Sequence, residues 1–489
     1  MAGGTWNPND LPVLPGLYMN FQAKALAAIQ PGDRGVVVAP VKAHWGPVRE
    51  FVEVTTEAGV LDLFTGDESA GATAYTTLRF ALMGGAQKVL AYRLADSSAV
   101  KAALTLQDTE GTPENVLKLE AKYPGGRGNA FRVTVQDNPA DANKKDIKLF
   151  EGTTLLRTFT FESGTIQAAV DAINGDAGNK WIVAAKIADG NGTLADVSGA
   201  VFTGGNSGIA NIANTDYVNA LAAFETQEFN VLTLDGVTDS ALHTSVVSWV
   251  SRVRDEGKSV IAVLGGSAAE DTAADAVSKA VARSAGYNHE GIVNVGTGAK
   301  LNGISYSSAQ VAAYAAGLIA GQALSESTTY APTPFDDVTR RWTRSEQEQA
   351  VRGGVFLLIH DGRLVKVLRG MNSLVTLRQG QSNAWKKIRT IRVMDAINMD
   401  LQRAAEDAYI GKVNNTEEGR LALVGAAKQY MLTLEQSGVI AAGTWDVYPD
   451  PDYYGPSAPN TPEPDQVYLK WEARLTDVME IIMGTFIVK

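Results

Sequence analysis

Residues 230–264 read NVLTLDGVTDSALHTSVVSWVSRVRDEGKSVIAVL. Asn230-Val231-Leu232-Thr233-Leu234 is an apolar run too short for a helix, and Val260-Ile261-Ala262-Val263-Leu264 is another. Between them Val246, Val250 and Val253 recur at the spacing of one helix face. Two buried strands joined by an amphipathic helix predict a parallel pair with its crossover, because parallel neighbours need a connection long enough to return across the sheet. The alternation extends both ways. Residues 216–225 read as a capped helix, and downstream come Ile292-Val293-Asn294-Val295 and an alanine-rich helix over 309–323. Near the start, residues 36–39 and 88–94 read as strands and 69–82 as a helix. The expected core is a mostly parallel sheet with helices on its faces.

The period changes over residues 98–203. Leu117, Leu119, Ala121 and Tyr123 alternate, as do Phe131, Val133 and Val135, and Glu151-Gly152 turns between strands at 147–150 and 155–161. Ile166, Val170 and Ile173 mark one helix, and Gly204-Gly205-Asn206-Ser207-Gly208 closes the segment. This is read as an inserted, sandwich-like β-rich domain that faces outward. After Pro332 and Pro334 the chain is read as an α+β domain. It holds a hairpin at 355–359 and 364–368 around His360-Asp361-Gly362-Arg363, and a long helix over 416–436. Leu423, Ala427, Met431 and Leu434 line one face of that helix, and Gly438 stands where a left-handed cap belongs. The expected division is an arm at 1–22, core at 23–97, insertion at 98–203, core again at 204–337 and a C-terminal domain at 338–489.

Both ends of the sequence carry apolar alternation. Val467, Leu469, Trp471, Ala473 and Leu475 alternate with polar residues, and Met479-Glu480-Ile481-Ile482-Met483-Gly484-Thr485-Phe486-Ile487-Val488 continues the pattern after a short break. Leu17-Tyr18-Met19-Asn20-Phe21 is a shorter strand behind an arm. An apolar strand outside a sheet is an open edge that recruits another chain, so two such ends point to a polymer subunit. Six prolines within 448–465 read as a semi-rigid spacer that projects the last strands.

Several stretches, taken in order, resemble the tail sheath proteins of contractile bacteriophages and related contractile injection particles. They are Leu14-Pro15-Gly16-Leu17-Tyr18-Met19-Asn20-Phe21, Gly35-Val36-Val37-Val38-Ala39-Pro40 with Trp45-Gly46-Pro47, and Gly84-Gly85-Ala86-Gln87-Lys88-Val89-Leu90-Ala91-Tyr92-Arg93. Tyr123-Pro124-Gly125-Gly126-Arg127-Gly128-Asn129, Phe202-Thr203-Gly204-Gly205, Leu469-Lys470-Trp471-Glu472 and Asp477-Val478-Met479-Glu480 complete the set. The resemblance implies a subtilisin-like α/β core without a catalytic triad, and terminal arms exchanged between subunits. It implies stacked hexameric rings around a tail tube, in a virion tail or phage-like particle assembled in a bacterial cytoplasm, with tube, baseplate and tail terminator proteins as partners. The residues that carry strand exchange are then Leu17, Tyr18, Met19, Asn20 and Phe21 at one end. At the other they are Val467, Leu469, Trp471, Ala473, Leu475, Ile481, Ile482, Phe486 and Val488.

Charge adds one candidate. The 489 residues carry a net charge of −11, against a general nucleic-acid binder. Residues 338–412 hold fourteen Lys or Arg against seven Asp or Glu, a local surplus of seven that leaves −18 for the rest. Arg340, Arg341 and Arg344 cluster there, as do Lys386, Lys387, Arg389 and Arg392. A solvated face explains such a run. In a sheath the C-terminal domain faces the tube, which makes the second cluster the candidate tube-facing patch. The absence of cysteine excludes disulfides and thiolate chemistry, and no leader or apolar run of eighteen residues predicts secretion or membrane insertion.

Catalytic and ligand readings fail on spacing. Gly303-Ile304-Ser305 followed by Val311-Ala312 resembles the nucleophile strip of subtilisin-like proteases, with Asp235 as the acid, but His243 is too close to it and His289 lacks the glycine-flanked motif. Gly257-Lys258-Ser259 ends like a phosphate loop whose first glycine is Arg252, and Gly296-Thr297-Gly298 has Leu301 where a third glycine belongs. His44, His243, His289 and His360 never pair at helical spacing, and Asp189-Gly190-Asn191-Gly192 has Ala200 where a calcium loop needs Glu. The expectation is a structural protein with no catalytic residue, cofactor or metal; a hydrolase or an adhesion module built on the insertion is the alternative.

Overall fold

A computed structural model describes residues 34–488 together with residues 3, 4, 17, 18 and 29. The chain forms two compact units, one of residues 33–392 and one of residues 1–32 with 393–489.

The first unit is built on a six-stranded sheet. Its order is Ile292–Val295, Ile261–Gly265, Val231–Thr233, Val36–Lys42, Lys88–Leu94, Phe51–Val54, all parallel except the last. The inner strands are buried on both faces, which is why they read as unbroken apolar runs. Val36, Val38, Leu90, Tyr92, Leu232 and Leu234 share one core with helices Asn214–Phe224 and Ser240–Asp255. By the two-residue period of a strand, Val37, Ala39, Val89 and Ala91 face the other way, where helices Ala74–Gly84 and Ser308–Gly321 pack. Those two helices cross at glycines. A Cβ on Gly317 would overlap the Ala81 carbonyl oxygen, and one on Gly84 would overlap that of Tyr314.

Residues 69–82, expected as one helix, begin with a 3-10 turn, Ser69–Gly71, and the α-helix starts only at Ala74. Thr73 is the cause: its amide donates to the Lys42 carbonyl at 2.8 Å, and its hydroxyl accepts from the Lys42 amide while donating to Asp235. A residue tied to a strand end on both sides cannot also continue a helix behind it.

The insertion is two antiparallel sheets over one core. One runs Thr154–Glu162, Lys144–Glu151, Phe131–Asp137, Val197–Val201, and the other Ile182–Lys186, Asn115–Ala121, Ala103–Gln107. Leu117, Leu119, Phe131, Val133, Val135 and Ile147 meet inside it, with helix Ile166–Asn174 covering the core. In the same unit the hairpin Leu358–His360 and Val365–Val367 follows a segment in which Trp342, Ala350, Val355 and Leu357 pack on helix Ala276–Tyr287.

The second unit is organised by helix Glu417–Gln436. Thr416 caps it by accepting from the Gly419 amide, Ala427, Met431 and Leu434 are buried, and Gly438 has a φ of 71° just beyond its end. Helix Ile388–Ala404, which starts in the first unit, passes into a π-turn at Ala405–Tyr409. Within this unit its Asp400 accepts a 2.7 Å hydrogen bond from the Tyr430 hydroxyl.

Candidate assembly surface

Strand Asp446–Pro449 packs on helix Glu417–Gln436 and buries Val447 completely. It pairs antiparallel with Leu469–Glu472 in the register Asp446 with Glu472, Val447 with Trp471, Tyr448 with Lys470 and Pro449 with Leu469. Lys428 bonds Asp446 at 2.8 Å and holds that carboxyl below its usual range. The register is fixed by charge and stacking. Lys470 lies 3.3 Å from Asp450 and 3.4 Å from Asp452, whose hydrogen bonds raise its pKa, and the Tyr453 and Tyr468 rings stack face to face at 3.5 Å. The proline-rich residues between the strands are therefore not an extended spacer. They form the closing loop of this hairpin, held by turns onto Asp450 and by Asn415 donating to the Pro464 and Gln466 carbonyls.

Among the described residues this sheet has two strands, so each leaves one edge of amides and carbonyls without a sheet partner there. Beyond it the chain is anchored again, where Arg474 accepts from the Ala441 amide. Leu475 bridges to Ile440, and Thr476 donates its amide to Val439 and its hydroxyl to Gly438. After Thr476 no residue up to Val488 is in a strand. Met479, Ile481, Ile482, Met483, Phe486, Ile487 and Val488 are 68–91% exposed. The expected strand over 479–488 thus has the composition of a strand and is not part of any sheet among the described residues.

The expected exchange residues separate into groups. Leu469, Trp471 and Leu475 are half-buried in pairing within the chain, whereas Val467 and Ala473 are exposed and outside the strand. Ile481, Ile482, Phe486 and Val488 are unpaired. Leu17 and Tyr18 pair in parallel with Gly3 and Gly4, and Met19, Asn20 and Phe21 lie outside the described residues.

The four-residue basic patch does not form as a surface. Arg389 and Arg392 are only 5% and 8% exposed. Arg392 donates to the Gln322 and Ala323 carbonyls at the end of helix Ser308–Gly321, where a cation meets the negative pole of the helix. Lys386 and Lys387 are half-buried, and their backbones join the Met371-Asn372 strip. The other cluster is neutralised locally, since Arg340, Arg341 and Arg344 bond Glu346, Asp337 and Glu348 at 2.6, 3.1 and 3.1 Å.

The acid and the two histidines considered for a triad are committed elsewhere. Asp235 is buried and accepts from the Tyr217 and Thr73 hydroxyls at 2.8 and 2.6 Å. His243 bonds the Val237 carbonyl and the Tyr287 hydroxyl, His289 accepts from the Gly291 amide, and burial lowers the pKa of both rings. Ser305 is exposed on the short strand Ile304–Tyr306. Among the described residues no hydrogen bond joins the acid, a histidine and this serine. Sequence reading missed a buried pair nearby: Ser308 donates its hydroxyl (2.7 Å) and amide (2.6 Å) to Asp271, and burial pushes that carboxyl up to about 6. The Ser308 hydroxyl also accepts from the Gly266 amide, so the pair ties the helix start to the end of strand Ile261–Gly265. Among the described residues no group of three His, Cys, Asp or Glu could hold a metal ion, and no helix is long and apolar enough to cross a membrane.

Comparison with known proteins accounts for most of the chain. Family models match for the phage tail sheath protein beta-sandwich domain over residues 96–224, the central domain over 210–373 and the C-terminal domain over 380–489. The phage-like element PBSX protein XkdK of Bacillus subtilis is 27% identical over 463 residues, covering 90% of this chain and 91% of that protein. The crystal structure of a sheath tail protein from Desulfitobacterium hafniense is similar with a TM-score of 0.68 and 27% identity, over 89% of this chain and 94% of that one. The helical sheath of the anti-feeding prophage in its contracted state shares the fold at 13% identity, with a TM-score of 0.53 over 98% and 100% of the two chains.

Proposed function

Because the chain belongs to the phage tail sheath family and is a structural subunit of a contractile sheath, we propose that its copies join by strand addition. In this reading residues 477–488 of one subunit pair along an open edge of the hairpin Asp446–Pro449 and Leu469–Glu472 of another. The observation that carries it is the coexistence, in one unit, of an apolar, exposed segment that lies in no strand and a sheet that has two strands among the described residues. Each supplies what the other lacks. The arm at residues 1–22 is the second donor. The subunits stack as hexameric rings on a tail tube, between a baseplate and a tail terminator, in a particle assembled in a bacterial cytoplasm. Contraction drives the tube through a target envelope. Its free energy comes from new contacts between folded bodies as a metastable lattice relaxes, while donated strands keep neighbours joined. A subtilisin-like topology of the core, without a catalytic triad, fits the same reading, with Ser305 an ordinary exposed serine.

Negative-stain electron microscopy of the purified chain tests this reading. Hollow, cross-striated tubes are the expected result, and particles that stay monomeric at every concentration count against self-templated assembly.

The tube-facing assignment narrows to Lys386 and Lys387. Changing both to Glu is expected to weaken co-sedimentation with preformed tail tubes several-fold, and more strongly at low salt, while self-assembly is unchanged. Equal tube binding by the variant and the parent would assign the pair to solvation.

A further inference from the structure

The inserted β-domain is joined to the α/β core by two crossings, residues 95–102 and 202–213. Two peptide connections alone leave a domain free to pivot. Here a single side chain bridges the gap. Arg93, next to last in strand Lys88–Leu94, is fully buried. One guanidinium nitrogen donates to Gly46 in a core loop and to Pro124 in the insertion, both at 2.7 Å. The other donates to Ser207 on the returning crossing at 3.1 Å.

None of these acceptors is a carboxylate. Burial lowers the guanidinium to about 10, so it stays charged at neutral pH, and its Nε has no hydrogen-bond partner. A cation buried on such terms is a poor source of stability compared with an apolar side chain of its size. What it supplies is geometry, because a planar fork is satisfied only when its acceptors hold fixed positions.

Independent contacts close the same seam. The Trp45 indole belongs to the core loop yet sits in the insertion's interior, edge-on to Tyr123 and Phe131 at 5.3 and 5.4 Å. The Gly125 backbone lies so close to the His44 carbonyl that no Cβ fits there. The Ser207 hydroxyl bonds the His44 ring at 2.7 Å and accepts from the Gly126 amide at 2.9 Å. The stretches around Trp45, Arg93, Gly125 and Phe202 that carry the family resemblance, far apart in sequence, converge on this junction.

We propose that Arg93 is a lock that fixes the inserted domain to the core, so that the two move as one body in any rearrangement of the lattice. The lock belongs to the isolated subunit and does not rest on strand exchange. The test is hydrogen exchange and calorimetry on the full chain carrying Arg93→Met, with Arg93→Lys and Ser207→Ala beside it. Arg93→Met is expected to speed exchange at residues 125–127 and 206–208 by about tenfold or more, with strands Phe131–Asp137 and Ile261–Gly265 unchanged, and to split the melting transition in two. Arg93→Lys should fall between, since an ammonium keeps the charge and loses the fork. An unchanged seam, or faster exchange spread evenly over both bodies, overturns the lock. Ser207→Ala removes the hydroxyl that joins His44 and Gly126 and keeps the carbonyl that Arg93 bonds, so it measures the independent contacts alone. If Arg93→Met does not fold, Arg93→Lys decides the matter: faster exchange confined to the seam supports the proposal and an unaltered seam refutes it.

Discussion

Changing Ile482 and Phe486 together to Asp is expected to abolish tube formation while leaving the monomer as stable as the parent. The reason is the contrast between their two environments. In the single chain both side chains are almost wholly in water, at 85% and 91% exposure, so charging them costs the folded monomer nothing. On an acceptor sheet they fall on one face of the donated strand, where each buried large apolar group contributes about 2 kcal/mol and a carboxylate must be desolvated instead. Losing about 4 kcal/mol per donated strand is a factor of roughly a thousand at each joint, and a lattice multiplies that over many joints. Sedimentation velocity and microscopy on the same sample read out both halves of the expectation. Tubes of normal length from the doubly charged variant would place the assembly energy elsewhere.

Gly317→Ala is expected to cost the first unit about 3 kcal/mol or more, although alanine is the better helix former. In an open helix the change is worth about 1 kcal/mol in alanine's favour. At Gly317 the new methyl group would occupy the position of the Ala81 carbonyl oxygen, part of a rigid helix that cannot yield as a side chain does. Helices Ala74–Gly84 and Ser308–Gly321 must move apart, and the face of the parallel sheet they cover opens with them. Gly286→Ala is the control. It lies exposed in helix Ala276–Tyr287 with nothing within 4 Å of its added Cβ, and should gain up to about 1 kcal/mol. Urea midpoints of the two variants on opposite sides of the parent's would establish the crossing. Similar midpoints would show that the helices can separate cheaply.

Some of this structure is legible in the sequence because local pattern and burial coincide. Lys88–Leu94 is recognisable because a strand covered on both faces has to be apolar throughout. The insertion's alternation survives because each of its sheets keeps one wet face. What was not legible depends on partners distant in the chain. Arg392 reads as surface charge until its acceptors, Gln322 and Ala323, are found seventy residues away at a helix end. Residues 448–465 read as an extended spacer because prolines advertise a missing donor, and they carry no sign that Lys470 will return to Asp450 and Asp452. Trp45 looks like one more loop tryptophan, and only the fold reveals that it fills another domain's interior. At the candidate assembly surface composition was a sound guide to which residues are apolar. It was a poor one to which of them pair within the chain, since residues 469–472 and 479–488 have the same alternation and opposite fates.

The hairpin Asp446–Pro449 and Leu469–Glu472 has a consequence for counting. With two edges unfilled among the described residues, it has room for two donated strands, and under the strand exchange proposed above supply and demand would balance only in the interior of a lattice. In such a lattice the last layer would present unfilled edges, and the first unspent strands. On that reading strand exchange by itself would set no limit to a growing stack, and its length would be imposed by the tube and terminator proposed as partners.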